Sequence, residues 1–126
     1  MLKVLLVDDD PGVLDVLQHM LETQHYRVLT AQDDRVALEW VQRERPDLII
    51  TEASGPGIDC AEFCGLLKED PSTRDVPVMI LAALPLLSPV QRGSACAVLY
   101  KPVSTDDLLS AVRAVIDEAV QGSPRT

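Results

Sequence analysis

The chain has 126 residues, 47% of them hydrophobic, and carries 11 basic against 20 acidic side chains for a net charge of −9. That length holds one domain with a single core, and no apolar stretch approaches the ~18 residues of a membrane span. So negative a charge argues against direct nucleic-acid binding, which needs a basic surface to replace counterions.

The N-terminus has one early lysine and then acids, which is not the pattern of a signal peptide. A cytoplasmic protein is the expectation. A first strand is expected at 3–7, where Val4-Leu5-Leu6-Val7 is continuously apolar, as a strand covered on both faces should be. It ends in the acidic cluster Asp8-Asp9-Asp10. Segment 12–22 sets Val13, Leu14, Leu17, Met20 and Leu21 at helical spacing. A second strand is expected at 26–30 and a second helix at 34–43, with Ala37, Trp40 and Val41 on its inner face.

The third strand, 47–51, contains Leu48-Ile49-Ile50-Thr51 and runs into Glu52. Segment 60–68 then places Phe63, Leu66 and Leu67 at helical spacing, with Asp59 and Glu62 spaced as a capping box. A fourth strand follows at 77–81. Pro85, Pro89 and Gly93 leave little regular helix to residues 84–95. The fifth strand, 97–100, ends at Lys101-Pro102.

A last helix at 105–120 carries Leu108, Leu109, Val112, Val115, Ile116 and Ala119. Ser104 is its expected N-cap, and Asp106 and Asp107 suit its first turn. Residues 1–121 thus read as one domain, and 122–126 as a flexible tail or the start of a linker. The cysteines, Cys60, Cys64 and Cys96, lack a second metal-binding pair and are expected as reduced, mostly buried thiols. His19 and His25 lie far from any cysteine pair and are not expected to bind metal.

Strands alternating with helices imply an α/β fold with a doubly wound, five-stranded parallel sheet. Right-handed crossovers bring the C-terminal strand ends to one edge, where ligands of such folds bind. Asp8, Asp9, Glu52, Ala82 and Lys101 all fall there. Carboxylates around an edge crevice suit Mg²⁺, a hard cation that prefers oxygen. Of the adjacent Asp8 and Asp9, one can bind directly while the other holds a water. Glu52 can add an oxygen, and Lys101 can neutralise an anion or pair with Glu52. The plain alternative is a solvated acidic loop with one structural ion pair.

Val4-Leu5-Leu6-Val7-Asp8-Asp9-Asp10-Pro11, Pro46-Asp47-Leu48-Ile49-Ile50, Pro56-Gly57-Ile58-Asp59, Val76-Pro77-Val78-Met79-Ile80-Leu81 and Lys101-Pro102 form an ordered series of motifs. Together they resemble the receiver domain of bacterial two-component response regulators, from Leu2 to about Ala119. The resemblance implies a CheY-like, flavodoxin-like sheet of strand order 2-1-3-4-5 with helices on both faces. It also implies an aspartate after the third strand that takes a phosphoryl group from a histidine kinase. Acids after the first strand would hold Mg²⁺, helped by a backbone carbonyl at the position of Ser54. A hydroxyl after the fourth strand and a lysine after the fifth would contact the phosphoryl oxygens. An aromatic on the fifth strand would act as the switch.

Asp8, Asp9 and Lys101 match this pattern, but Glu52 holds the acceptor position, Ala82 the hydroxyl position and Val98 the aromatic position. Tyr100 lies two residues beyond Val98. The family's Met-Pro after the acceptor is Gly55-Pro56 here, and its Asp-Gly is Asp59-Cys60. The stretch from Ala82 to Lys101 is shorter than usual by about a helical turn. The longer glutamate displaces its oxygen by more than about an ångström, which is costly for in-line phosphoryl transfer.

The expected function is therefore a phosphorylation-independent, non-enzymatic interaction module, with Mg²⁺ weak or absent. A receiver phosphorylated on Glu52 or a neighbouring acid such as Asp9 is one alternative. A small Mg²⁺-dependent phosphatase is another, against which the chain shows no second nucleophile, general base or substrate loop. The expected partner is a histidine kinase or an output protein, with no nucleic acid and no membrane. The face of the fourth helix, fifth strand and fifth helix is a candidate homodimer surface, where Leu84, Leu86 and Leu87 form an apolar partner patch if exposed, the plain alternative being ordinary core packing of a distorted helix.

Overall fold

The computed structural model describes residues 2–55, 57–82, 97–100 and 103–121. In chain order the elements are β1 (Lys3–Val7), α1 (Pro11–Glu22), β2 (Arg27–Ala31), α2 (Asp34–Glu44), β3 (Leu48–Glu52), β4 (Ser54–Gly55), β5 (Ile58–Asp59), α3 (Cys60–Glu69), β6 (Val78–Ala82), β7 (Ala97–Tyr100) and α4 (Thr105–Gln121). The five longer strands form one parallel sheet in the order β2-β1-β3-β6-β7. Counting those five alone, the expected order 2-1-3-4-5 holds. The separate antiparallel pair β4–β5 was not anticipated.

Alternation of side chains along each strand divides the core into two layers. On one face Val4, Leu6, Leu48, Ile50, Met79 and Leu81 pack with α1 and α4. On the other, Leu5, Val7, Ile49 and Val78 pack with α2 and α3. Every residue of β3 and β6 is buried, so the runs Leu48-Ile49-Ile50 and Val78-Met79-Ile80-Leu81-Ala82 are apolar on both sides, and Thr51 and Glu52 are buried polar groups at the end of β3. Each fully buried Leu, Ile or Phe contributes about 1.5–3 kcal/mol through removal from water.

Three strand boundaries differ by one residue from the sequence reading, at 27–31, 48–52 and 78–82. Local bonding explains the shifts. Tyr26 donates its N–H back to Leu21 at the end of α1. Asp47 uses its side chain to accept the Lys3 N–H at 2.9 Å. Pro77 has no N–H to give a ladder. The consequence is that Glu52 and Ala82 are the last residues of their strands, and Glu52 sits level with Leu81.

Carboxylates also begin the helices that follow β1, β2 and β5. Asp10 caps α1 through the Gly12 N–H at 2.8 Å, and Asp33 caps α2 through the Val36 N–H at 2.9 Å. Asp59 caps α3 through the N–H groups of Ala61 and Glu62. Ser104 caps α4 as expected, accepting from Asp107 at 3.0 Å. Leu66 departs from its expected inward place. The buried stripe of α3 is Cys60, Phe63, Cys64 and Leu67, and Leu66, one step around the helix, is 42% exposed. Among the described residues, no helix is long and apolar enough to cross a membrane.

Candidate functional site: an acidic pocket at the sheet edge

With Asp10, Asp33 and Asp59 engaged as caps, the acids left at the C-terminal ends of β1 and β3 are Asp8, Asp9 and Glu52. Asp8 is buried, and its N–H prolongs the ladder by bonding to the Ala31 carbonyl at 3.1 Å. Its carboxylate accepts the Asp10 N–H at 3.0 Å, which turns the chain toward α1. Asp9 is less buried, and its N–H donates to Oε2 of Glu52 at 2.9 Å. Glu52 is only 7% exposed. Oxygens of all three carboxyl groups lie within 4.8 Å of one another.

Such crowding is unfavourable unless something positive, or a proton, is shared among the three. Burial, the side chains of Asp8 and Asp9, and the Asp8 charge push the Glu52 carboxyl up to about 8, while the Asp9 N–H pulls the other way. The donor set fits a hard divalent cation. Three carboxylate oxygens within 4.8 Å of one another are the donor type such an ion prefers.

The other sequence-derived positions divide in two. Ala82 ends β6, buried, opposite Tyr100 of β7. Val98 pairs with Ile80, and Ser54 lies in β4 paired with Asp59. Lys101, Leu84, Leu86, Leu87, Cys96 and the tail 122–126 lie outside the described residues. Cys60 and Cys64 are buried, as expected.

Asp34 is the residue that sequence reasoning missed. Its N–H donates to the Gly57 carbonyl at 3.0 Å and its Oδ2 accepts the Asp59 N–H at 2.8 Å. It thereby holds the β4–β5 turn, which follows directly on Glu52, against the start of α2. Gly57 has φ 75°, a left-handed position that favours glycine. The Pro56-Gly57 pair marked that turn in the sequence, but nothing local marked the partner from α2.

Residues 4–113 match the response regulator receiver domain family. The chain is similar to the response regulator PleD of Caulobacter vibrioides, 34% identical over 128 residues covering 94% of this chain and 28% of PleD. It is similar also to the heme response regulator HssR of Staphylococcus aureus, 30% identical over 92% of this chain and 52% of HssR. It thus spans about half or less of the length of these curated relatives. Among solved structures, the chemotaxis response regulator CheY4 of Vibrio cholerae superposes with a TM-score of 0.81 at 30% identity, covering 91% of this chain and 98% of that one. With a five-stranded doubly wound sheet, an acidic pocket at its edge and a family match over residues 4–113, this chain belongs to the receiver domains of two-component response regulators.

Proposed function

We propose that this receiver works without phosphorylation, as a protein-interaction module in two-component signalling. The observation that carries the reading is the side chain of Glu52. It ends β3, where the family resemblance places the phosphoryl acceptor, and its carboxylate is turned onto the Asp9 N–H at 2.9 Å. In-line attack requires the acceptor oxygen to be placed within a fraction of an ångström. A longer side chain committed to a backbone donor does not meet that requirement.

Two neighbours support the same reading. Ala82, at the end of the adjacent strand, has no hydroxyl for a phosphoryl oxygen. Val98 stands at the switch position without an aromatic ring to turn inward. A charge at the pocket therefore lacks, at Ala82 and Val98, the two side chains that would couple it to a bistable element. A static docking platform is the form of module this predicts, non-enzymatic and cytoplasmic, with a histidine kinase or an output protein as partner.

Asp8, Asp9 and Glu52 would hold Mg²⁺, with the Ser54 carbonyl as the further donor that the resemblance implies. The bound ion would supply the positive charge that lets the three carboxylates remain ionised together. Binding should be weak near neutrality, because a proton on Glu52 competes for the same oxygens.

The test is intact mass after incubation with Mg²⁺ and a small acyl phosphate, beside the Glu52→Ala variant. The expected outcome is no phosphoryl adduct on either protein. An adduct on the native chain that the variant lacks would make Glu52 a true acceptor and the domain a working switch.

A further inference from the structure

Helices α2 and α3 leave a shallow groove of about 730 Å³ between them, on the side of the sheet away from α1 and α4. Its middle is apolar, formed by Leu38, Phe63 and Leu66. The 42% exposure of Leu66 leaves apolar surface open beside the fully buried Phe63. Gly65, next to Leu66, is also exposed, and an added Cβ there would meet nothing within 4 Å. The face is open enough for another backbone to come close.

The end of the groove where both helices begin is acidic, with Asp34 and Glu62 on its walls. Asp34 Oδ1 is buried and has no hydrogen-bond partner among the described residues. Burial, together with the charges of Asp59, Glu62 and Asp33, holds the Asp34 carboxyl above its ordinary value. Arg35 and Glu39 line the groove as well, yet among the described residues Arg35 makes no ion pair with Asp34 or Glu62. Arg43 lies at the far end of α2, over the ring of Trp40 at 5.7 Å. An apolar middle with an unneutralised acidic end calls for an apolar group and a cation, held one helical turn apart. Glu62 and Leu66, four residues apart, set that spacing on α3.

We propose that the groove between α2 and α3 docks an amphipathic helix of a partner protein. An apolar side chain of that helix seats against Leu38 and Leu66, over the buried Phe63, and a lysine or arginine one turn away meets the exposed Glu62 at the Asp34 end. The net charge of −9 favours such a basic partner at longer range. The proposal gives the interaction module a docking face and does not depend on the chemistry of Glu52. An acyl-phosphate adduct would overturn the reading of the pocket and leave this groove untouched.

The test uses a dye-labelled synthetic peptide that forms an amphipathic helix of leucine and lysine, titrated with the full chain at physiological salt and read by fluorescence anisotropy. A second peptide has glutamate in place of every lysine. Saturable one-to-one binding of the lysine peptide is expected, weakened about ten-fold or more by Leu66→Asp and several-fold by Glu62→Lys. Both side chains are exposed, so circular dichroism should report an intact fold. Absence of saturation, equal binding by Leu66→Asp, or equal binding of the glutamate peptide would each overturn the proposal. So would self-association of the chain alone that Leu66→Asp abolishes, because a second copy would then be the occupant.

Discussion

The Glu52 carboxylate accepts the backbone N–H of Asp9 at 2.9 Å, tying the end of β3 to the turn after β1. The contact spans 43 residues of sequence and closes the pocket from the side opposite β6. It also explains how three carboxyl groups can gather within 4.8 Å. Asp8 and Glu52 are both buried and each directed at a backbone donor, and the proton affinity of Glu52 rises to relieve the repulsion.

Shortening that side chain should not by itself create a fast acceptor. Glu52→Asp withdraws the carboxylate by one methylene, but Ala82 still offers no hydroxyl to the transferred group. Removing one donor to a developing negative charge typically costs about a hundred-fold or more in rate. Labelling of Glu52→Asp by a small acyl phosphate should therefore be slower by about that factor than labelling of Glu52→Asp with Ala82→Thr. Equal rates in time-resolved intact mass would show that the hydroxyl is dispensable.

The raised Glu52 pKa sets a pH dependence with a definite sign. The folded value of about 8 lies above the ordinary 4.5. Its stabilising contribution is thus fully present below about pH 4.5 and is lost as pH rises to about 8. One proton limits the slope to ~1.4 kcal/mol per pH unit. Urea unfolding with a chelator present should show native stability falling relative to Glu52→Gln across this window. Mg²⁺ should stabilise the native chain most at the alkaline end, where Glu52 is ionised. A native-minus-variant difference that stays flat would remove Glu52 as the titrating group.

The sheet was legible because each of its central strands carries a continuous apolar run, and Asp8, Asp9 and Glu52 were legible because they follow such runs. Strand ends were read one residue early at Tyr26, whose N–H turns back to Leu21, at Pro77, which has no N–H, and at Asp47, whose side chain takes the N–H of the distant Lys3; only the last depends on a tertiary partner. Leu66 was misread because helical spacing alone cannot separate Phe63 and Leu67 from a leucine one step around the helix. The role of Asp34 was hidden for a related reason. Its carboxylate looks like an ordinary first-turn acid, and only the fold brings it to the N–H of Asp59.

Asp59 does two jobs at that junction, and they separate by mutation. Its side chain caps α3 through the N–H groups of Ala61 and Glu62, while its own N–H is held by Asp34. Asp59→Ala removes the cap and the charge but keeps the N–H held by Asp34, and should cost about 1 kcal/mol in denaturant unfolding. Asp59→Asn keeps an acceptor oxygen and should cost less. Equal losses in the two variants would show that the charge at the start of α3, and not the cap, is what stabilises it.

Gly65 supplies the opposite kind of prediction. It lies inside α3, where glycine is about 1 kcal/mol worse than alanine because it leaves the unfolded backbone freer. A Cβ at this position would meet no atom within 4 Å, so nothing in the fold offsets that cost. Gly65→Ala should therefore stabilise the chain by about 1 kcal/mol, raising its melting temperature by roughly 4 °C for a domain of this size. If a partner helix approaches α3 closely, the same methyl should weaken its binding while strengthening the fold. Thermal unfolding and peptide titration of this one variant should thus move in opposite directions. A gain in stability with unchanged peptide affinity would place the bound helix away from Gly65, over the Leu38 side of the groove.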